Sequence, residues 1–277
     1  MAKFYPKIEA EMCIQWIKNY FTGPNEGCNA VIGISGGKDS TIAAALCVEA
    51  LGADRVIGVM MPNGAQSDIQ DARDVIEFLG IKSLEVNIKE AWYSIASQID
   101  LQCSEYVAVQ GELEKSGGVT KQAKINLSPR LRMSTLFAVA QSMNGRVCCT
   151  SNYSEYMIGY FTMFGDSCGH FAPLRNWTAT EVIEIGKVLD LPNPWVIKPP
   201  SDGISGKSDE DAFGFTYEDL DRCLRGEDVI TANKDDVNSM ESMIVNSEFK
   251  RQTLPEVYSV CQIVSDMKKN KPWVLDL

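Results

Sequence analysis

Short apolar runs alternate with segments of helical periodicity over the first hundred residues of this chain. The apolar runs are CNAVIGI (28–34), RVIGVMMP (55–62) and SLEVNI (83–88), each of strand length. Residues 39–51 and 67–80, which lie between them, space their apolar side chains as a helix does. Repeats of this kind join parallel strands through right-handed helical crossovers. The pattern therefore predicts an α/β fold with an open parallel sheet flanked by helices.

Further elements are predicted on either side of this region. An amphipathic helix is expected over residues 8–21, another in SPRLRMSTLFAVAQSMNG (128–145), and a fourth strand in RVCCTS (146–151). Thr178, with Glu181 three residues later, predicts a capping box at the start of a helix. No repeat or clear boundary divides the sequence, so we expect a single domain over residues 1–277.

A long stretch at about 198–214 combines proline, glycine, serine and charged residues without periodicity. It is too long for a plain connection between elements. Either a lid over a binding site or a disordered segment has this composition.

Composition narrows the classes of function. The net charge is −11, which disfavours nucleic acid as a partner because phosphate backbones are bound through clustered Lys and Arg. No stretch approaches the roughly 18 apolar residues of a membrane span, and the N-terminus does not resemble a signal peptide. Nine cysteines without paired spacing indicate reduced thiols, and the adjacent Cys148 and Cys149 are interpreted as small buried residues. These features predict a cytoplasmic protein without a membrane partner. The single histidine, His170, is interpreted as a surface or partly buried polar residue.

The first predicted strand runs into Ser35-Gly36-Gly37-Lys38-Asp39-Ser40, and a helix begins at once. Ligands of open parallel sheets bind beyond the carboxyl ends of the strands. Two glycines let the main chain approach a ligand closely, and the N–H groups at a helix start suit a phosphate. Asp39 would repel a bare phosphate, so its presence favours a bridging cation such as Mg²⁺. A plain capped turn is the alternative interpretation.

This loop resembles the pyrophosphatase loop of ATP enzymes that cleave between the α and β phosphates. Five further segments, in the same order, resemble the bacterial NAD synthetase family. They are MPNGAQSDIQDA (61–72), NLSPRLRM (126–133), TSNYSEYMIGYFTMFGD (150–166), the region from KPPSDG to TYEDLD (198–221) and SEFKRQTLP (247–255). The resemblance implies an adenine-nucleotide α-hydrolase-like, Rossmann-like fold.

The resemblance also implies a reaction. ATP would adenylate the nicotinate carboxylate of deamido-NAD, and ammonia would then displace AMP to give NAD, AMP and diphosphate. Glutamine-fed members of the family carry an additional amidase domain, for which this chain has no room, so free ammonia is the implied nitrogen donor. Family members are homodimers, and we expect the same here.

Site residues follow from the matched motifs. The resemblance implies ATP contacts from Gly33, Ser35, Gly36, Gly37, Lys38, Asp39, Ser40, Gln66, Thr150, Lys198 and Ser201. It implies substrate contacts from Asn126, Arg130, Arg132, Asp166 and Lys250, and a Mg²⁺ site at Asp39 and Glu155. Ser35, Asp39 and Asp166 are the implied catalytic residues, with Asp166 orienting ammonia or taking a proton from ammonium.

Simpler roles remain open for several of these residues. Asp39 is also a suitable helix cap, Glu155 a solvated carboxylate, and Asp166 a turn residue after glycine. Arg130 and Arg132 are two apart on a predicted helix and do not share a face, so at least one of them fits a surface cation.

The chain departs from the family pattern at Met60, Met163, Ala179 and Phe249, where family members often carry cationic residues. Fewer cations predict weaker phosphate binding or a reshaped substrate pocket. Two other functions therefore stay open: another amide- or thiol-forming enzyme with the same loop, including a tRNA-modifying one, and a non-catalytic nucleotide-binding relative.

Overall fold

A computed structural model describes residues 3–66, 68–110, 118–197, 209–231 and 233–252, with the backbone alone for 103–110. Lys198 and Ser201 lie outside these residues, as does most of the long stretch predicted over 198–214. No helix in the described ranges is long and apolar enough to cross a membrane.

Four parallel strands form one sheet in the order β3-β2-β1-β4. The strands are β1 (Asn29–Gly33), β2 (Val56–Met60), β3 (Lys82–Glu85) and β4 (Gly145–Val147). In the register, Ala30 lies opposite Val56, and Val31 opposite Val147. The predicted α/β fold with an open parallel sheet is confirmed, and β1 lies in the interior of the sheet because strands pair with both of its edges.

Helices cover both faces of the sheet. The helices are α1 (Pro6–Tyr20), α2 (Lys38–Leu51), α3 (Ile69–Leu79), α4 (Lys89–Gln110), α5 (Lys121–Ser142), α6 (Tyr153–Ile158), α7 (Ala179–Val188), α8 (Asn193–Val196), α9 (Asp209–Phe213), α10 (Tyr217–Leu224) and α11 (Lys234–Asn246). Consecutive side chains of β1 point to opposite faces, as strand geometry requires. Ile32 therefore packs in the core beneath α1, α2 and α7, whereas Val31 packs in the core beneath α5.

Several local predictions are confirmed. Gly52 and Gly80 follow the last residues of α2 and α3, and the capping box of Thr178 and Glu181 opens α7. The adjacent Cys148 and Cys149 are buried. The seven cysteines whose side chains are described are unpaired. His170 is exposed and accepts a hydrogen bond from the Val147 N–H at 2.9 Å.

Two predicted boundaries were wrong. The helix expected from residue 128 begins at Lys121, because Thr120 caps it by accepting a hydrogen bond from the Ala123 N–H at 3.2 Å, and Pro129 lies inside it. The stretch predicted as a loop over 198–214 contains α9 near its end. Three consecutive acidic residues open α9, where negative charge interacts favourably with the helix dipole.

Candidate active site

The glycine-rich loop after β1 turns sharply at Gly36, whose φ is +78°. A Cβ at this position would lie 2.7 Å from the Asp71 Cβ and 2.8 Å from the Ala72 nitrogen. Only glycine therefore fits between the loop and the first turn of α3. This close approach places the loop at the carboxyl edge of the sheet, where ligands of such folds bind.

Hydroxyl groups hold the main chain of this loop in place. The Ser40 and Thr41 hydroxyls both donate to the Gly37 carbonyl, at 3.1 and 2.8 Å. The Gly37 N–H donates to the Ser35 hydroxyl at 3.2 Å, and the Ser35 and Ser40 hydroxyl oxygens are 3.1 Å apart. Ser35 is exposed, so the loop has a fixed conformation with one face open to solvent.

Lys38 is buried beside the loop with a side-chain exposure of only 4%. Its Nζ lies 2.6 Å from Asp39 Oδ2 and 5.8 Å from the centroid of the Tyr217 ring. Burial lowers the pKa of Lys38, but attraction to Asp39 and Glu155 outweighs it and the pKa is raised overall. The lysine therefore stays charged and neutralises the carboxylates around it.

Asn152 joins the two carboxylates that the sequence suggests as metal ligands. It is fully buried at the N-terminus of α6, and its Oδ1 accepts a hydrogen bond from the Glu155 N–H at 3.0 Å. Its Nδ2 donates to Asp39 Oδ1 at 3.1 Å, and its main-chain N–H donates to Glu155 Oε2 at 3.3 Å. Burial, followed by repulsion from Asp39, raises the pKa of Glu155 to about 8.

These two carboxylates suit a magnesium ion that is shared with a phosphate ligand. Mg²⁺ in nucleotide sites takes one or two protein carboxylates and fills its remaining positions with phosphate and water oxygens. No cluster of three or more His, Cys, Asp or Glu side chains occurs among the described residues, so an all-protein metal cage is not present in them. The raised pKa of Glu155 indicates a place where additional positive charge would be stabilised.

Four of the five predicted substrate residues, Asp166 among them, lie close together in a second part of the site. The Thr162 N–H donates to Asp166 Oδ1 at 2.8 Å, and the Thr162 hydroxyl donates to Asn126 Oδ1 at 3.0 Å. Crowding by protein atoms raises the pKa of Asp166, against hydrogen bonds and the charges of Lys250 and Arg132, which lower it. The fold thus brings Asn126, Arg132, Asp166 and Lys250 together from distant parts of the sequence.

The two arginines of α5 differ in their surroundings, as their spacing on the helix suggests. Arg132 is half-buried and donates from Nε to the Met61 carbonyl at 3.1 Å, and burial lowers its pKa. Arg130 is exposed and donates to the Met163 carbonyl at 3.3 Å. Arg132 therefore faces the cluster of Asp166, whereas Arg130 has the position of a surface cation.

Three further predicted ATP residues lie at or shortly after the carboxyl ends of neighbouring strands. Gly33 is the last residue of β1, Gln66 lies between β2 and α3, and Thr150 follows β4. Since the strands are parallel, all three lie toward the same edge of the sheet as the glycine-rich loop.

The four positions that depart from the family pattern have different surroundings. Met60 and Ala179 are buried in the core, at 5% and 1% exposure, whereas Phe249 is 62% exposed. Met163 lines a cavity beside Lys250.

Sequence reasoning missed the role of Asn152, although the residue stands in one of the quoted segments. Its spacing from Glu155 is that of a capping box, which the sequence could have shown. Its contact with Asp39 spans 113 residues and has no local signal.

A parallel α/β sheet, a glycine-rich loop after its central strand and an acidic pair across that loop together define an adenine-nucleotide α-hydrolase-like protein. The sequence matches the NAD synthase family over residues 9–254, and the chain belongs to that family. The sequence-based predictions of the family, the fold class and an ATP-consuming, NAD-forming ligase are confirmed.

Individual relatives agree with this assignment. The chain is 37% identical to the NH(3)-dependent NAD(+) synthetase of Finegoldia magna, over 90% of this chain and 94% of that protein. It is 36% identical to the enzyme of the same name from Pyrococcus furiosus, over 84% of this chain and 89% of that protein. Among solved structures, the NMN synthetase of Francisella tularensis superposes with a TM-score of 0.77 at 30% identity, covering 93% of this chain and 100% of that one.

Proposed function

We propose that this chain catalyses the ammonia-dependent conversion of deamido-NAD and ATP into NAD, AMP and diphosphate. The observation that carries the proposal is the acidic pair Asp39 and Glu155 at the open face of the glycine-rich loop, joined by Asn152. The names of the relatives from Finegoldia magna and Pyrococcus furiosus support ammonia as the nitrogen donor.

The first step forms an acyl adenylate. The loop from Ser35 to Ser40 binds the β and γ phosphates of ATP, and Gly33, Gln66 and Thr150 contact the nucleotide at the same edge of the sheet. Asp39 and Glu155 hold Mg²⁺, which when bound neutralises charge on the phosphates. Nicotinate oxygen attacks the α-phosphorus, and diphosphate leaves with its negative charge stabilised by the loop.

The second step forms the amide. Asp166 accepts a proton from ammonium, the ammonia attacks the acyl carbon, and AMP leaves as the newly bonded nitrogen releases a second proton to solvent. A carboxylate whose pKa is raised is a better proton acceptor than one at its ordinary value, because efficient general bases titrate closer to the working pH. Asn126, Arg132 and Lys250 bind the pyridine nucleotide beside it.

The proposal also covers two residues outside the described part of the chain, the oligomeric state and the cellular location. Lys198 and Ser201, outside the described residues, are proposed to close over ATP and exclude water from the acyl adenylate. We also propose a homodimer in the cytoplasm.

A second candidate is the same amidation of nicotinate mononucleotide. The superposition on the Francisella tularensis NMN synthetase favours it. The apolar residues Met163, which lines the cavity beside Lys250, and Phe249, which is exposed, also supply no charge for the second phosphate of a dinucleotide.

One assay tests both candidates. The purified chain receives ATP, magnesium and either ammonium or glutamine, with deamido-NAD or nicotinate mononucleotide as the acceptor, and amide and AMP are measured by chromatography. We expect amide and AMP in equal amounts with ammonium, and the ratio of kcat/KM for the two acceptors identifies the substrate. Failure to form AMP with either acceptor would refute the proposal.

A further inference from the structure

Lys38, the first residue of α2, is a buried cation beside the two carboxylates of the candidate metal site. Lysine is almost never fully buried unless its charge is paired. The start of a helix is also an unfavourable place for a cation, because the helix dipole is positive there. The ammonium is nevertheless held at this position by Asp39, whose Oδ2 lies 2.6 Å from Nζ. A charged group at this depth therefore depends on its carboxylate partners.

Tyr217 and Asp209 also interact with this ammonium. The centroid of the Tyr217 ring lies 5.8 Å from Nζ, a distance at which an aromatic face attracts a cation. The Tyr217 hydroxyl donates to Asp209 Oδ2 at 3.2 Å, and Asp209 is itself buried. Burial lowers the pKa of the lysine, but attraction to Asp39, Glu155 and Asp209 raises it. Residues of α6, α9 and α10 therefore interact with this one positive charge.

Both carboxylate oxygens of Asp39 have a hydrogen-bond partner. Oδ1 accepts from Asn152 Nδ2 at 3.1 Å, and Oδ2 accepts from Lys38. A carboxylate oxygen has more than one lone pair, and the Asp39 side chain is 19% exposed, so a cation can still reach it. That cation would, however, lie close to the ammonium. Repulsion between a unit charge and a divalent ion at short distance is substantial even when water screens it.

A phosphate ligand changes this balance of charge. Its negative oxygens would be attracted by the ammonium and by the N–H groups of the glycine-rich loop. They would also serve as metal ligands, so that a divalent ion bound together with them no longer depends on the two carboxylates alone. The buried lysine therefore acts in opposite directions on the two ligands, against a bare divalent cation and in favour of phosphate.

We propose that Lys38 is a built-in counter-ion of this site, which weakens the binding of a bare divalent cation to Asp39 and Glu155 and strengthens the binding of phosphate groups. The metal then enters together with the nucleotide rather than ahead of it. This inference rests on the metal site of the proposed function and extends it.

Two binding measurements on the full chain test the assignment. Electron paramagnetic resonance of Mn²⁺ gives the affinity for a bare divalent cation, and calorimetry gives the affinity for α,β-methylene ATP in the presence of EDTA. The variants are Lys38→Met, which removes the charge, and Lys38→Gln, which keeps a donor to Asp39. Lys187→Met is the matched control, because Lys187 Nζ also lies 2.6 Å from a carboxylate, that of Glu184, but its side chain is 49% exposed.

We expect Lys38→Met to bind Mn²⁺ ~10-fold more tightly than the wild type, because a repelling charge is gone. The same variant should bind α,β-methylene ATP several-fold more weakly in EDTA, since the charge that attracts phosphate is gone as well. Lys38→Gln should show the same two shifts, and Lys187→Met should bind both ligands like the wild type. Adding Asp39→Asn to Lys38→Met should remove the gain in Mn²⁺ affinity, which would place the ion at this carboxylate.

Urea unfolding gives a readout that depends on neither nucleotide nor activity. Without metal, Lys38→Met should be less stable than the wild type, because Asp39 and Asp209 lose their buried counter-charge. Mn²⁺ should raise the free energy of unfolding more in this variant than in the wild type, since a ligand stabilises the folded state according to its affinity. An equal response of both proteins to Mn²⁺ would contradict the counter-ion role.

Shifts in opposite directions separate this role from a purely structural one. Weaker binding of both Mn²⁺ and nucleotide by the Lys38 variants would overturn the inference, as would Mn²⁺ binding equal to that of the wild type, or none at all. Such a result in a chain that forms NAD from deamido-NAD and ammonium would leave the proposed function standing. Opposite shifts in a chain that forms no amide would sink the proposed function and leave this inference standing.

Discussion

The Asn152 side chain donates a hydrogen bond to Asp39 at 3.1 Å and so connects the loop after β1 with the loop after β4. The same side chain caps α6 through the Glu155 N–H. One buried amide therefore sets the distance between the two carboxylates of the candidate metal site. Positioning of this kind tunes metal affinity without direct contact with the ion.

Asn152→Ala should raise the magnesium concentration needed for half-maximal ATP–pyrophosphate exchange by ~10-fold, because Asp39 and Glu155 would no longer be held together. Loss of the cap should also lower the free energy of unfolding by about 1 kcal/mol. Asn246→Ala is the control, since this residue bonds only locally to the Ser242 hydroxyl at 3.0 Å on an exposed face. An unchanged magnesium dependence in Asn152→Ala would contradict the positioning role.

Asp39→Asn should abolish pyrophosphate release and leave the circular dichroism spectrum unchanged. The substitution keeps the shape of the side chain but removes the negative charge that would bind the cation. Asp54→Asn, at an exposed position beyond α2, should release pyrophosphate at the wild-type rate. Full activity in the Asp39 variant would refute the metal role.

Asp166→Asn should preserve ATP–pyrophosphate exchange and slow amide formation by ~10²-fold or more, the scale of general base catalysis. The amide side chain can still accept the Thr162 N–H, so the local turn should persist. The two half-reactions are measured separately, by exchange of labelled pyrophosphate and by chromatography of the product. Equal loss in both would place Asp166 in substrate binding rather than in the second step.

Gly36→Ala should destabilise the protein and weaken ATP binding, because the new Cβ would overlap the Asp71 and Ala72 atoms of α3. Gly27→Ala is a matched control: φ there is +74°, close to that of Gly36, but no atom lies within 4 Å of the added Cβ. Both variants carry the strain of a left-handed residue, ~1–2 kcal/mol. Urea unfolding should show a larger loss for Gly36→Ala, and similar losses would argue against the close approach.

Asp219 should make the stability of the protein depend on pH in the acid range. Burial alone would raise its pKa, but hydrogen bonds from Thr231, Ile230 and Thr216 lower it from 3.8 to about 2. A lowered pKa in the folded state contributes stability that is present above pH 3.8 and is lost as the pH falls toward 2. Asp219→Asn should flatten the free energy of unfolding over that range.

Thr231→Val provides an intermediate case for the same measurement. This substitution removes the hydroxyl donor to Asp219 and leaves the main-chain donors of Ile230 and Thr231 in place. The pH dependence of urea unfolding should therefore lie between those of the wild type and Asp219→Asn. Identical slopes for all three proteins would show that this carboxylate does not control the acid transition.

Patterns of neighbouring residues in the sequence were sufficient to predict most of the strands and helices. Apolar runs of strand length predicted β1 and β2, glycines marked the ends of α2 and α3, and the pair Thr178 and Glu181 marked the start of α7. These features depend on side chains a few residues apart, so a linear pattern contains them. The start of α5 was missed because its first residues, from Lys121, form no continuous apolar stripe.

The glycine-rich loop could likewise be placed from its neighbours in the chain, since a strand precedes it and a helix follows. The residues that its side chains contact could not be predicted in this way. Asn152 reaches Asp39 across 113 positions, and Tyr217 meets Lys38 only because the start of α10 lies beside the start of α2. Contacts between distant segments leave no periodic trace in a single sequence, so the chemistry of this site depends on packing that no local pattern encodes.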